Sequence, residues 1–121
     1  MSRHDPLVSM RHMLDYAHAA LEISQPKTRA DLDTDMVFRL ALTRAVEVIG
    51  EAARRVPRET RIQHPMVKWQ AISGMRDRLI HGYDTVNHDL LWDVVTEDLP
   101  PLIAQLETIL GPDAGEASTP D

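Results

Sequence analysis

Apolar residues recur at intervals of three and four along nearly the whole chain, and proline and glycine cut that pattern into lengths that suit helices. Leu7, Met10, Leu14, Ala17 and Leu21 form the first stripe, with Asp5 as N-cap and Pro6 at the first helical position. It closes before Pro26, and 27–30 make a polar connection. Asp33 or Thr34 is placed to cap a second helix, with Asp35 adding favourable charge to its first turn. Val37, Leu40, Ala41, Ala45, Val48, Ile49 and Ala52 give that helix a broad apolar face, which makes it central, and Pro57 stops it. Residues 57–65 hold a helical turn or two. A third helix is predicted from Met66 or Val67 through Trp69, Ile72, Met75, Leu79 and Ile80 to a stop at Gly82, followed by a loop over 84–87. Asn87 caps a fourth, carrying Leu90, Leu91, Val94, Val95, Leu102, Ile103, Leu106, Ile109 and Leu110, which Pro100-Pro101 must kink or restart. No segment reads as a strand. The expectation is an all-α antiparallel bundle over 1–111, with 112–121 as a disordered acidic tail.

With 121 residues and 43% hydrophobic content the chain suits one domain with a real core. Aromatic residues are only 4%, so that core must be aliphatic and methionine-rich. The absence of cysteine excludes disulfides, thiolate metal sites and a cysteine nucleophile. His4, Asp5, Arg11 and Asp15 interrupt any leader-like apolar run, and no stretch approaches a membrane span, so a cytoplasmic protein with no membrane partner is expected. The glycines at 50, 74, 82, 111 and 115 form no nucleotide-binding fingerprint. His12, Asp15 and His18 spread over about 120° of the first helix, which fits a polar face better than a metal cage; no metal or other cofactor is expected.

The net charge of −6 argues at first against a polyanionic partner, but its distribution is uneven. From Arg54 to Arg78 there are seven basic residues against Glu59 and Asp77, so this segment alone is positive. Such a segment suits either a solvated helix face with counter-charges nearby or a local site for a polyanion. Within it and just beyond, Arg76, His81 and Tyr83 combine an anion clamp, a group that titrates near neutrality and a phenol. In a regular helix Tyr83 shares the face of Arg76, whereas His81 lies about 140° from it. Two arrangements would reconcile them: the helix ends at His81, with Gly82 turning the chain, or a second protomer completes the site. Equally, Arg76 could pair with a glutamate of the second helix while His81 and Tyr83 cap a helix end.

Arg76-x4-His81-x-Tyr83 matches the Arg-x4-His-x-Tyr signature of HepT-like proteins, within the HEPN superfamily of small helical domains. Ile49-Gly50-Glu51-Ala52, His64-Pro65, Trp69, Gly74-Met75-Arg76, Trp92 and Asp98-Leu99-Pro100 also resemble that family, so the likeness runs from about Arg11 to Leu110. The resemblance implies a homodimeric four- or five-helix bundle with the motifs facing each other across the interface. It implies a ribonuclease toxin that cuts RNA without metal, paired with a minimal nucleotidyltransferase antitoxin that transfers AMP to the motif tyrosine. Carried onto this chain, Arg76 and His81 would be catalytic and Tyr83 the acceptor of AMP. Lys68, Asp77 and Arg78 are the neighbouring candidates for substrate or phosphate binding. Asp77 stands where relatives often have Asn, adding negative charge beside that site. A non-catalytic binding module that partners a nucleotidyltransferase, and a purely structural dimerisation bundle, are the competing expectations.

Overall fold

The computed structural model describes residues 5–82 and 85–111; Tyr83 and the expected tail over 112–121 lie outside them. The first helix, α1 (Pro6–Ser24), starts where the sequence places it, with Asp5 accepting a hydrogen bond from the Leu7 amide at 2.9 Å. Its buried row is Met10, Met13, Leu14, Ala17 and Ala20, while Leu7 is exposed and Leu21 half-buried. A strict alternation of three and four averages 3.5 residues, so it drifts against the 3.6-residue helix and leaves the core face at both ends.

The connection to the second long helix is not wholly irregular. It contains a single turn, α2 (Asp31–Thr34), which buries Leu32 completely. The cap of α3 (Met36–Arg54) is therefore Asp35 rather than Asp33 or Thr34. Asp35 accepts from the Phe38 amide at 3.0 Å and from Lys27 Nζ at 2.9 Å, and these two contacts hold its carboxyl below the usual range. Asp33 is engaged elsewhere, with His88 at 2.7 Å and Arg29 at 3.1 Å, which also depress its pKa; Arg29 reaches on to Asp89 at 2.7 Å. This cluster ties α2 to the start of α7 (His88–Asp93).

Helix α3 packs along α1 and also meets the short helices α5 (Trp69–Ser73) and α6 (Met75–Leu79), so it is central as its broad apolar face requires. Pro57 caps α4 (Arg58–Gln63). The predicted third helix is corrected in two ways. It is broken at Gly74 into α5 and α6, and it ends at Leu79, short of Gly82. Ile80 is extended, and Ile80–His81 (β1) pairs antiparallel with Thr85–Val86 (β2), Ile80 opposite Val86 and His81 opposite Thr85. A two-residue ladder is too short to leave an alternating pattern, so the expected loop conceals it. Gly82, at φ 81°, supplies the left-handed residue of the hairpin turn instead of a helix stop.

Asn87 caps α7 as expected, accepting from the Leu90 amide at 3.0 Å. A π-helical stretch over Val94–Asp98 then leads without interruption into α8 (Leu99–Leu110), with Pro100 in its first turn. Widening the turn is how the rod accommodates two prolines that donate no hydrogen bond and crowd the preceding turn. Helix α1 also packs against α8, completing an all-α bundle whose only sheet, among the described residues, is the two-residue hairpin. The buried core is aliphatic and methionine-rich, Phe38 and Trp69 being its only aromatic members among the described residues. Among those residues no helix is long and apolar enough to cross a membrane.

Candidate active site

Arg76 is positioned by a close approach of backbones. At Gly50 on α3 a Cβ would stand 3.2 Å from the Ile72 carbonyl oxygen and 3.7 Å from that of Ser73. Only a glycine lets the end of α5 settle against α3 without displacement. Gly74 then breaks the helix, its amide bonded to the Gln70 carbonyl at 3.1 Å, and α6 restarts with Met75 fully buried as its anchor. Arg76 follows at once, on the flank of α6 that faces α3.

There Arg76 Nε donates to Glu47 Oε2 at 3.2 Å. Glu47, with its side chain only 21% exposed, is also 3.8 Å from Arg44 Nη1 through its other oxygen. Asp77 lies between Arg76 Nη1 at 3.8 Å and Arg54 Nη2 at 3.4 Å. The five side chains alternate in sign: three guanidiniums around two carboxylates. Glu47 fixes one edge of the Arg76 guanidinium, and Nη2 has no partner among the described residues. The arginine is thus braced from behind with donor capacity to spare, the arrangement that presents a fork to a phosphate.

His81 stands beyond the helix break, exposed on β1 opposite Thr85, and no described residue bonds its ring. Ending α6 at Leu79 removes the constraint that a continuous helix would place on the two residues. Of the two expected arrangements, a helix end is present but earlier than His81: α6 stops at Leu79, His81 lies on β1, and Gly82 turns the chain. The alternative pairing is present too, since Glu47 is the glutamate of the second long helix that engages Arg76. Sequence spacing could not choose it over Glu51, and Arg44 and Arg54 were likewise visible only as charge.

Lys68 and Arg78 do not join Arg76. Both line a groove of about 400 Å³ on another flank, floored by Ile72, Met75 and Leu102. Asp77, expected beside the phosphate site, is paired with Arg54. Among the described residues no three histidine or acidic side chains are grouped to hold a metal, and His18 instead meets Glu107 at 3.3 Å.

The same residues sit within a region of wider likeness. The family model described as Ribonuclease HepT-like matches residues 13–109. A protein of Caldanaerobacter subterraneus subsp. tengcongensis named "Putative RNase" is 35% identical over 105 residues, covering 87% of this chain and 94% of the relative. The "Probable ribonuclease HepT" of Thermococcus cleftensis is 34% identical over 84% of this chain and 96% of its own length. A "Putative RNase" of Methanocaldococcus jannaschii is 31% identical over 90% of this chain and its own full length. No solved structure matches. With the family model spanning most of the helical bundle and relatives aligned almost end to end, the chain belongs to the ribonuclease HepT-like family.

Proposed function

We propose that this protein is a metal-independent endoribonuclease, the toxin of a toxin–antitoxin pair, acting at a site composed of Arg76 and His81 from two copies of the chain. The carrying observation is the braced arginine: Glu47 holds Arg76 at one edge, and His81 follows directly on the end of the same short helix, exposed. Cleavage needs a base to take the proton of the RNA 2′-hydroxyl as its oxygen attacks phosphorus. It needs an acid to protonate the departing 5′-oxygen, and a cation for the crowded anionic phosphorus between them. The products are a 2′,3′-cyclic phosphate and a free 5′-hydroxyl. One chain supplies one His81; a two-fold dimer supplies two, one for each proton transfer, with an Arg76 for the phosphate charge.

A surface for that dimer is at hand. Val37 and Leu40 are 77% and 61% exposed, and with Arg44 and Glu47 they step along α3 at intervals of three and four, one face of the helix. An apolar row that runs into the brace of Arg76 would bring two such sites together around a two-fold axis. Tyr83, two residues after His81, is the proposed acceptor of AMP from a nucleotidyltransferase antitoxin. An added phosphodiester there would compete for Arg76 and fill the cleft.

The second reading, a non-catalytic module that partners the nucleotidyltransferase, draws on the same ion pairs: Glu47 and Asp77 already neutralise part of the Arg76 charge. Incubating purified protein with RNA in EDTA separates the two. The nuclease reading expects cyclic-phosphate ends from wild type and none from folded Arg76→Ala or His81→Ala. Wild type that leaves RNA intact, or a His81→Ala protein that still cuts it, overturns the assignment.

A further inference from the structure

Beside the braced arginine, on another flank of the same short helix, lies a groove that the proposed cleavage chemistry does not use. Its walls are the α5–α6 segment and the start of α8. Its floor is apolar, from Ile72, Met75, Pro101 and Leu102, and its rim carries Lys68, Arg78, Asp98 and Gln105. Arg78 and Asp98 make no ion pair with each other, and Lys68 has none either among the described residues. This contrasts with the α3-facing flank, where Arg44, Arg54 and Arg76 each meet Glu47 or Asp77. Arg78 is nevertheless not a free-swinging chain: its Nη2 donates to the Ala71 carbonyl at 3.1 Å, which pins the guanidinium over the groove. Asp98, the last residue of the π-helical stretch, and Pro101, in the first turn of α8, stand on the far wall.

We infer that this groove is a second RNA subsite, which takes a single unpaired nucleotide flanking the cleaved phosphate, its base against the apolar floor and its phosphate between Lys68 and Arg78. The inference rests on the ribonuclease reading for its ligand class, but its own evidence is the groove. A volume of about 400 Å³ matches a small-molecule-sized occupant. An apolar floor accepts the face of any base, which is how single strands are held without strict sequence preference. Two unmatched cations against one carboxylate leave the rim positive, suited to a phosphodiester rather than to a cationic or neutral ligand. Gln105 and Asp98 offer an amide and a carboxylate to base edges, so any selectivity at this position would come from them.

The test uses the full chain with His81→Ala, so that RNA is not consumed, and reads the fluorescence anisotropy of a labelled single-stranded oligoribonucleotide. Adding Lys68→Gln and Arg78→Gln together should weaken binding about tenfold at low salt, and should flatten the log affinity against log salt slope by about 0.7, the one phosphate that the two side chains share. Ala71 also lines the groove; Ala71→Trp, which fills it without changing charge, should weaken binding while leaving that slope nearly as steep, because phosphate contacts elsewhere persist. An oligonucleotide containing 4-thiouridine should photo-crosslink to the peptide spanning Met75–Arg78. Unchanged affinity in both variants, or a crosslink confined to other peptides, overturns the subsite. Cleavage by proteins that retain His81 separates this outcome from failure of the nuclease reading. RNA cut normally by the double variant leaves the nuclease without this subsite; groove-dependent binding with no cleavage by wild type leaves the subsite without the nuclease.

Discussion

The charge pattern around Arg76 makes Glu47 the residue through which the site is tuned. Glu47 touches no proposed reacting atom; it orients the guanidinium and neutralises part of its charge. Glu47→Gln keeps a hydrogen-bond acceptor and removes the charge, so RNA should bind slightly tighter through a freer Arg76 while turnover falls because the fork is less fixed. Measuring KM and kcat separately on a defined oligonucleotide checks this, and a fall in kcat with KM unchanged or lower is the expected split. Tyr83→Phe removes only the phenolic oxygen proposed to accept AMP. That variant should cut RNA as wild type does and take up no adenylate when incubated with the proposed nucleotidyltransferase antitoxin and ATP, read by intact mass. Adenylate-sized additions on Tyr83→Phe would place the acceptor elsewhere.

Elements here are held in register by a few small or polar residues rather than by propensity. Gly50 admits α5 to within contact distance of α3, and the resulting position of Gly74 fixes where α6 begins. Gly50→Ala should cost about 1–3 kcal/mol, the usual penalty for forcing extra atoms into a packed contact, because the opposing atom is a backbone carbonyl that has little freedom to retreat. The same substitution should shift Arg76 and lower cleavage more than its loss of stability accounts for at temperatures well below the melting transition; urea unfolding together with activity on RNA measures both. The α2 junction makes a separate prediction. Asp33 and Asp35 are held below their ordinary pKa of 3.8, the first by His88 and Arg29 and the second by the Phe38 amide and Lys27. Depressed carboxyls add stability that is present above the unfolded value and is lost as pH falls through the lower folded values. The melting temperature should therefore drop as the medium is acidified below about pH 4, and Asp35→Asn, which preserves the cap but not the charge, should flatten part of that drop.

At the scale of the molecule, the bundle is sealed on the α1–α3–α8 side and open on the face of α3 that carries Val37 and Leu40. Because those side chains are outside the core, replacing both with aspartate should leave helical content unchanged. Light scattering should nevertheless find the variant monomeric and the wild type dimeric, with cleavage lost in the monomer. A wild-type monomer at micromolar concentration would contradict the shared site. The buried interior responds differently: Leu42→Ala, at a residue with no exposed surface, should cost about 2–5 kcal/mol in urea unfolding without altering the oligomeric state.

The sequence by itself determined the helices that carry long apolar stripes, their capping residues Asp5 and Asn87, the aliphatic core and the segment in which the charged motif lies. These follow from periodicity and side-chain chemistry, which are local. Tertiary structure alone decided the break at Gly74, the hairpin at His81 and the choice of Glu47 as the partner of Arg76. Each depends on what a neighbouring helix presents. Gly50 and the Ile72 carbonyl are separated in the chain and meet only when α5 packs on α3, and a two-residue ladder leaves no periodic trace. The split between Arg76 on one flank of α6 and Arg78 on another, beside Lys68 from the start of α5, has the same origin. Sequence shows one positive segment, whereas packing against α3 and α8 sorts its charges onto different surfaces, because successive residues of a helix point about 100° apart.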